Sequence, residues 1–166
     1  MDTAKIAELF STVSLGAPEN AVGFVLWRVF HRYQRAVDRS LAVLDLTNLQ
    51  FTTLTLVAWL SKSGDTPTQA EIARFGDIHP MQVSLMLKAL EQKGMIARAA
   101  VEANARAKSV SITAMGLDAL QRALPLAIEV QRQMFGEEGR VGGAVLAMLL
   151  DAQEKGTTLL RNATTA

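Results

Sequence analysis

Residues 66 to 113 constrain this chain more than any other stretch, because they mark where each short element starts and stops. Thr68 is followed three residues later by Glu71, and Thr-x-x-Glu is a capping box in which hydroxyl and carboxylate satisfy two orphan backbone amides. A short helix comes next, from which Ala70, Ile72, Ala73 and Phe75 can face a core. Gly76 is expected to end it, since glycine tolerates left-handed backbone just past a helix. Asp77, Ile78 and His79 make the turn, with His79 capping or bordering the second helix. Pro80 opens that helix at the position where a missing N–H costs nothing.

The second helix runs from Pro80 to about Gln92. On a wheel of about 100° per residue, Val83, Met86, Leu87 and Leu90 converge on a core side. Met81, Leu85, Lys88 and Gln92 fall opposite, flanked by Gln82 and Ser84. A helix entering a major groove reads bases with its first turns. There, Gln pairs with adenine, Ser with several bases, and apolar atoms touch the thymine methyl. An ordinary amphipathic surface helix would look the same, so the helix alone decides nothing.

The residues after it do. Gly94 closes the helix, Met95 to Arg98 start a strand, and Ser109 to Ile112 alternate polar and apolar as the return strand. Ala99 to Lys108, between them, are too polar and too rich in alanine to be core. Arg98, Arg106 and Lys108 cluster around this hairpin, with Glu102 its one acid. Any three cations could decorate a solvated hairpin. Helix, turn, helix and basic hairpin in this order instead describe a winged helix-turn-helix, whose wing suits phosphate or minor-groove contact.

Three stretches carry a family resemblance: Leu46 to Leu54 (LTNLQFTTL), Gln69 to Arg98, and Asn104 to Gly116 (NARAKSVSITAMG). Together they resemble the MarR family of bacterial transcriptional regulators over roughly residues 20 to 166. The resemblance implies a homodimer on a pseudo-palindromic duplex operator, usually a repressor, released by a small and often aromatic effector. It makes Pro80 to Gln92 the recognition helix and Arg106 the wing arginine. Two positions depart from the pattern. Asn104 stands where an acid commonly braces the wing arginine, and Leu85 stands where many members have Arg.

The expected DNA contacts are therefore His79, Met81, Gln82, Ser84, Leu85, Lys88, Arg98, Arg106 and Lys108. A protein-interaction module without specific DNA binding is the alternative, and uncharged Met81 and Leu85 favour it slightly.

Flanking segments read as helices. Ile6 to Val13 form a short one, and a long one runs from about Asn20 to Leu44. The long helix has a main apolar face of Val22, Leu26, Val29, Phe30, Tyr33, Val37 and Leu44. Opposite lies a stripe of Arg28, Arg32, Arg35 and Arg39, either a solvated face or an approach to DNA or to acids of a partner. Beside it runs a seam of Phe24, Trp27 and His31. Thr47 to Gln50 form a second capping box, starting a helix that Gly64 ends. Thr113 caps the helix after the wing, Pro125 should kink or interrupt it, and a last helix spans about Val141 to Arg161. The architecture expected is mainly α with a small β-hairpin wing. Residues 1–45 and 114–166 supply dimerisation helices on either side of a 46–113 DNA-binding domain. Long outer helices have no core of their own, and pairing two chains would bury them. The effector site is expected among Trp27, Phe30, His31, Tyr33, Phe51 and Trp59, although aromatics at helical spacing are more often core.

Composition agrees. Hydrophobic residues make up 49% of the 166, generous for a monomer, while net charge is only +1. The positive excess falls within 66 to 113, where Lys and Arg outnumber Asp and Glu by two. Without cysteine there is no disulfide, no thiolate metal site and no thiol-based sensing. No signal peptide is visible, and the apolar run Val141 to Leu150 is shorter than the ~20 residues a membrane span takes. A cytoplasmic protein is expected. His31 and His79 lie far apart, no nucleophile–base set stands out, and the Gly136 to Gly143 stretch lacks the Gly-Lys-Ser/Thr ending of a phosphate loop. Neither enzyme chemistry, cofactor nor metal is expected.

Overall fold

The computed structural model describes residues 2–12, 14–101 and 104–164; of residues 101, 104–107, 163 and 164 it describes the backbone alone. Most of the described residues are helical. Internal contacts divide it into two units, Met1–Ala36 and Val37–Ala166.

The first unit holds α1, Thr3–Thr12, a turn of 3-10 helix at Pro18–Asn20, and the opening turns of α2, Val22–Leu41. None of the α1 side chains is buried, and Ile6, Leu9 and Phe10 stay exposed. Along α2 the aromatic seam exists as a stack of rings. Phe24 and Trp27 have centroids 6.3 Å apart, Trp27 and His31 4.3 Å, and Phe30 meets His31 edge-on at 5.5 Å. Arg28 reaches Glu19 at 3.5 Å and lies over the Phe24 ring, while Arg32 and Arg35 point to solvent.

The second unit starts where Val37 and Leu41, on the last turns of α2, become fully buried. The chain then tightens into a 3-10 turn at Ala42–Leu44 and leaves through Asp45, whose φ of 53° is left-handed. The expected helix to Leu44 therefore changes pitch in its last turn, as helix ends often do. Helices α3 (Asn48–Ser61) and α4 (Gln69–Gly76) both begin with complete capping boxes, Thr47 with Gln50 and Thr68 with Glu71. The Thr68 amide and hydroxyl hold the Glu71 carboxylate below its usual pKa range. Helix α5 covers Pro80–Gln92, with Pro80 at its first position. The wing pairs β1 (Ile96–Val101) with β2 (Asn104–Ile112) in antiparallel register from Ile96↔Ile112 to a bulge at Ala100/Val101. Leu54, Val57, Ile72, Val83, Leu87, Leu90 and Val110 are wholly inaccessible and make the core between these elements. Burying one such side chain is worth about 1.5–3 kcal/mol.

Several expectations need correcting. Gly76 is the last residue of α4 and not its left-handed cap; Asp77 takes that conformation at φ 50°. A Cβ at 76 would lie 2.5 Å from Leu56 Cδ1, so that leucine methyl would have to move to admit one. On α4 only Ile72 and Ala73 are buried, whereas Ala70 and Phe75 face outward. A helix this short can turn only one narrow face to the core. The strands are longer than their alternation suggested, since pairing continues through Ala99↔Ser109 and Ala100↔Lys108. Backbone hydrogen bonding does not need an apolar face.

Helix α6, Ala114–Phe135, passes through Pro125 without interruption. Pro125 and Gln121 both face solvent, so the carbonyl that loses its partner lies where water can reach it. Helix α7, Ala144–Thr164, starts later than expected because Gly142 has φ +83° and Val141 is exposed in the turn before it. Glu138 Oε2 accepts the Ala144 amide at 3.0 Å, the favourable place for an acid at a helix start. No single helix among the described residues is long and apolar enough to cross a membrane.

Candidate nucleic-acid interface

The second helix of the pair is held at both ends. At its start the His79 ring accepts the Met81 amide at 3.3 Å, so His79 acts as the cap. At its end Lys93 donates to the Asp45 carbonyl and to Gln50 Oε1 at 3.1 Å, and pairs with Asp45 Oδ2 at 3.0 Å. These bonds fasten the end of α5 to the turn that precedes α3. Val83, Leu87 and Leu90 anchor one face in the core. The opposite face is bare: Met81 and Leu85 are 66% and 61% exposed, and Gln82 and Lys88 are exposed beside them.

The wing is stitched to the same body. The Val110 amide donates to the Pro67 carbonyl at 2.8 Å, and Thr68 bridges Ser109, so β2 lies along the N-terminus of α4. Thr113 Oγ1 donates to the Gly94 carbonyl at 2.7 Å and accepts the Gly116 amide at 3.0 Å, closing the base of the hairpin. Inside this frame, Arg98 and Glu91 form an ion pair between β1 and α5, with Nε to Oε2 at 3.0 Å. Arg98 is held above its ordinary pKa by that carboxylate, and Glu91 below its own by the guanidinium. The Arg98 side chain is only 17% exposed.

Between α4, the start of α5 and the wing lies an open groove of about 930 Å³. Gln69, Arg74, His79, Ser84, Arg98 and Lys108 contribute to its walls. Four of the expected contacts, His79, Ser84, Arg98 and Lys108, thus come together around one depression, and Met81, Gln82, Leu85 and Lys88 share the outer face of α5. The side chain of Arg106 lies outside the described residues, as does that of Asn104. Arg74 and Gln69 did not figure among the expected contacts. The signal for Arg74 was a cation in the last turn of the first helix, the element that crosses the phosphate backbone in such motifs. The acid nearest Arg98 was also missed, because Glu91 belongs to the helix before the hairpin and not to the hairpin itself.

The expected effector residues are placed less tightly. Trp27, Phe30 and His31 form the ring stack on α2, and Tyr33 is half-buried there, its hydroxyl pushed above the usual pKa by burial. Phe51 and Trp59 both sit on α3, but eight residues separate them by about 12 Å along the axis. The Lys62 ammonium covers the Trp59 ring at 3.3 Å. None of the six lines the groove. No group of His, Asp or Glu among the described residues could hold a metal ion.

The profile of the MarR family matches residues 46–108, from the start of α3 to the wing. An uncharacterized HTH-type transcriptional regulator of Bacillus subtilis (strain 168), YdcH, is 34% identical over 118 residues, 71% of this chain and 80% of the relative. The chain belongs to the MarR family. This MarR-family chain is also 31% identical to the HTH-type transcriptional repressor Mb2911 of Mycobacterium bovis, over 64% of its own length and 74% of the relative's. Among solved structures, the repressor CouR bound to a 23-mer DNA duplex superposes with a TM-score of 0.70 at 26% identity, covering 84% of this chain and 97% of CouR. The MarR-family protein is thus a DNA-binding transcriptional regulator with a winged helix-turn-helix, and its relatives are regulators, not enzymes.

Proposed function

We propose that this regulator works as a homodimer in the cytoplasm, represses by occupying a pseudo-palindromic operator, and lets go when a small aromatic effector binds. The observation that carries the DNA half is the groove itself. It brings the cap and first turns of α5, the last turn of α4 and the wing to one surface, with Arg74 and Lys108 as its exposed cations. In this reading Gln82 and Ser84 meet base edges, Lys88, Lys108 and Arg106 take phosphate, and His79 sets the angle at which α5 enters. Arg98 acts through Glu91, holding the wing against α5, and gives little direct charge to DNA. Residues 46–113 form the DNA-binding domain, and residues 1–45 and 114–166 supply the dimer.

The dimer is supported by apolar surface that a single chain leaves wet. On α1, Leu9 and Phe10 are 55% and 49% exposed, and on α7, Met148 and Leu150 are 61% and 56% exposed. Buried between two copies, such faces would drive association. The effector is supported by the ring cluster of Trp27, Phe30 and His31 on α2. CouR from Rhodococcus jostii RHA1 has itself been crystallised with p-coumaroyl-CoA.

Retardation of a duplex carrying the region upstream of its own gene tests the DNA reading directly. A shift at low salt that weakens steeply with added salt is expected, and no shift at low salt would overturn it. A melting screen against small aromatic acids tests the effector. A ligand that raises the melting temperature should also release the duplex, and uniformly null results would leave a constitutive regulator.

A further inference from the structure

The reading face of α5 carries no guanidinium. From Pro80 to Gln92 its one cation is Lys88, well past the first turn, while Met81 and Leu85, one turn apart, stand 66% and 61% exposed. Bidentate recognition of guanine O6 and N7 takes Arg or Lys. The first turns of this helix, the part that meets base edges, have neither. They offer Gln82, whose exposed carboxamide matches adenine N6 and N7. They also offer two apolar side chains, and the apolar group that a major groove presents is the thymine C5-methyl.

The spacing fits as well. Residues four apart on a helix are separated by about 6 Å along its axis, close to two steps of base stacking at about 3.4 Å each. Met81 and Leu85 can therefore meet methyls on neighbouring or next-neighbouring pairs while Gln82 holds an adenine between them.

We infer that α5 reads A·T pairs, with Gln82 on the adenine edge and Met81 and Leu85 packed on thymine methyl groups. The inference rests on the DNA-binding reading above and adds the chemistry of its specificity. Lys88, Lys108 and the wing then supply affinity without information, and the apolar pair supplies discrimination without charge.

The test uses the full chain to select duplexes from a random-sequence library. The selected half-site is resynthesised with deoxyuridine replacing single thymidines, which removes the methyl and keeps the base pair. Enrichment of A·T pairs under α5 is expected, and loss of affinity of about fourfold for each contacted methyl. That loss should vanish at one position in Leu85→Ala and at another in Met81→Ala, with melting curves confirming that both exposed-site variants fold. Binding indifferent to every deoxyuridine would overturn the inference while leaving DNA binding intact. So would a methyl effect that persists unchanged in both variants. If no duplex is retained at low salt, both readings fall, and Met81 and Leu85 become a docking face for protein.

Discussion

In the proposed interface, Gln82 and Lys108 have different parts. A carboxamide on base edges would discriminate, whereas an ammonium on phosphate would attract every sequence alike. Gln82→Ala is expected to cost about 1–3 kcal/mol at one base pair and to relax preference there. Lys108→Ala should weaken all duplexes equally and reduce the slope of log affinity against log salt by about one. Anisotropy titrations over a small set of duplexes and salt concentrations separate the two, and identical behaviour of both variants would refute the division between helix and wing. Gly116 acts at the same scale on stability. A Cβ there would sit 2.0 Å from the Met95 carbonyl, itself fixed by the Thr113 amide at 3.1 Å. Gly116→Ala must displace backbone, and a loss of about 1–3 kcal/mol is expected in thermal denaturation.

At the scale of elements, α5 is positioned by charge at its far end and by apolar packing along its length. The Glu91–Arg98 pair joins α5 to β1, and its geometry ties the wing to the recognition helix. Because the folded-state pKa of Glu91 lies below its unfolded value, the pair's contribution is present above the ordinary glutamate range. It is lost as pH falls through the lowered folded value. Protection of the β1 amides, relative to their intrinsic exchange rate at each pH, is therefore expected to hold through the usual glutamate range and to fall only below it; Glu91→Gln should show the reduced protection already at neutral pH. An acid-insensitive wing in the wild-type chain would contradict this. Lys93 makes the companion tie, with Asp45 and Gln50 as its acceptors.

For the whole molecule, the balance of charge and apolar surface bears on DNA attraction and on the proposed dimer. Net charge is only +1, so attraction to DNA depends on local placement of cations and not on a global field. In the proposed dimer, the exposed apolar positions of α1 and α7 are the surfaces that two copies would bury. Sedimentation equilibrium is expected to give twice the chain mass of 18.0 kDa, and Leu150→Lys on α7 should shift it towards a single copy. Operator binding should weaken with that shift, since two half-sites would no longer be engaged together.

Much of this was legible in the residues. Capping boxes at Thr47 and Thr68, proline at 80 and glycine at 94 are local signals whose physics acts within a few residues, so they located α3, α4, α5 and the wing. Periodicity likewise separated Val83, Leu87 and Leu90 from Met81 and Leu85. The order of elements and the family emerged from those local facts. What only the tertiary structure decided was how distant residues meet. It paired Arg98 with Glu91 and brought Lys93 to Asp45 and Gln50. It put Arg74 and Lys108 on one groove, and it packed Gly76 against the Leu56 side chain. Caps and amphipathic faces are written in neighbouring residues. Ion pairs, grooves and close approaches depend on where the folded chain brings separate elements together, and no local pattern encodes that distance.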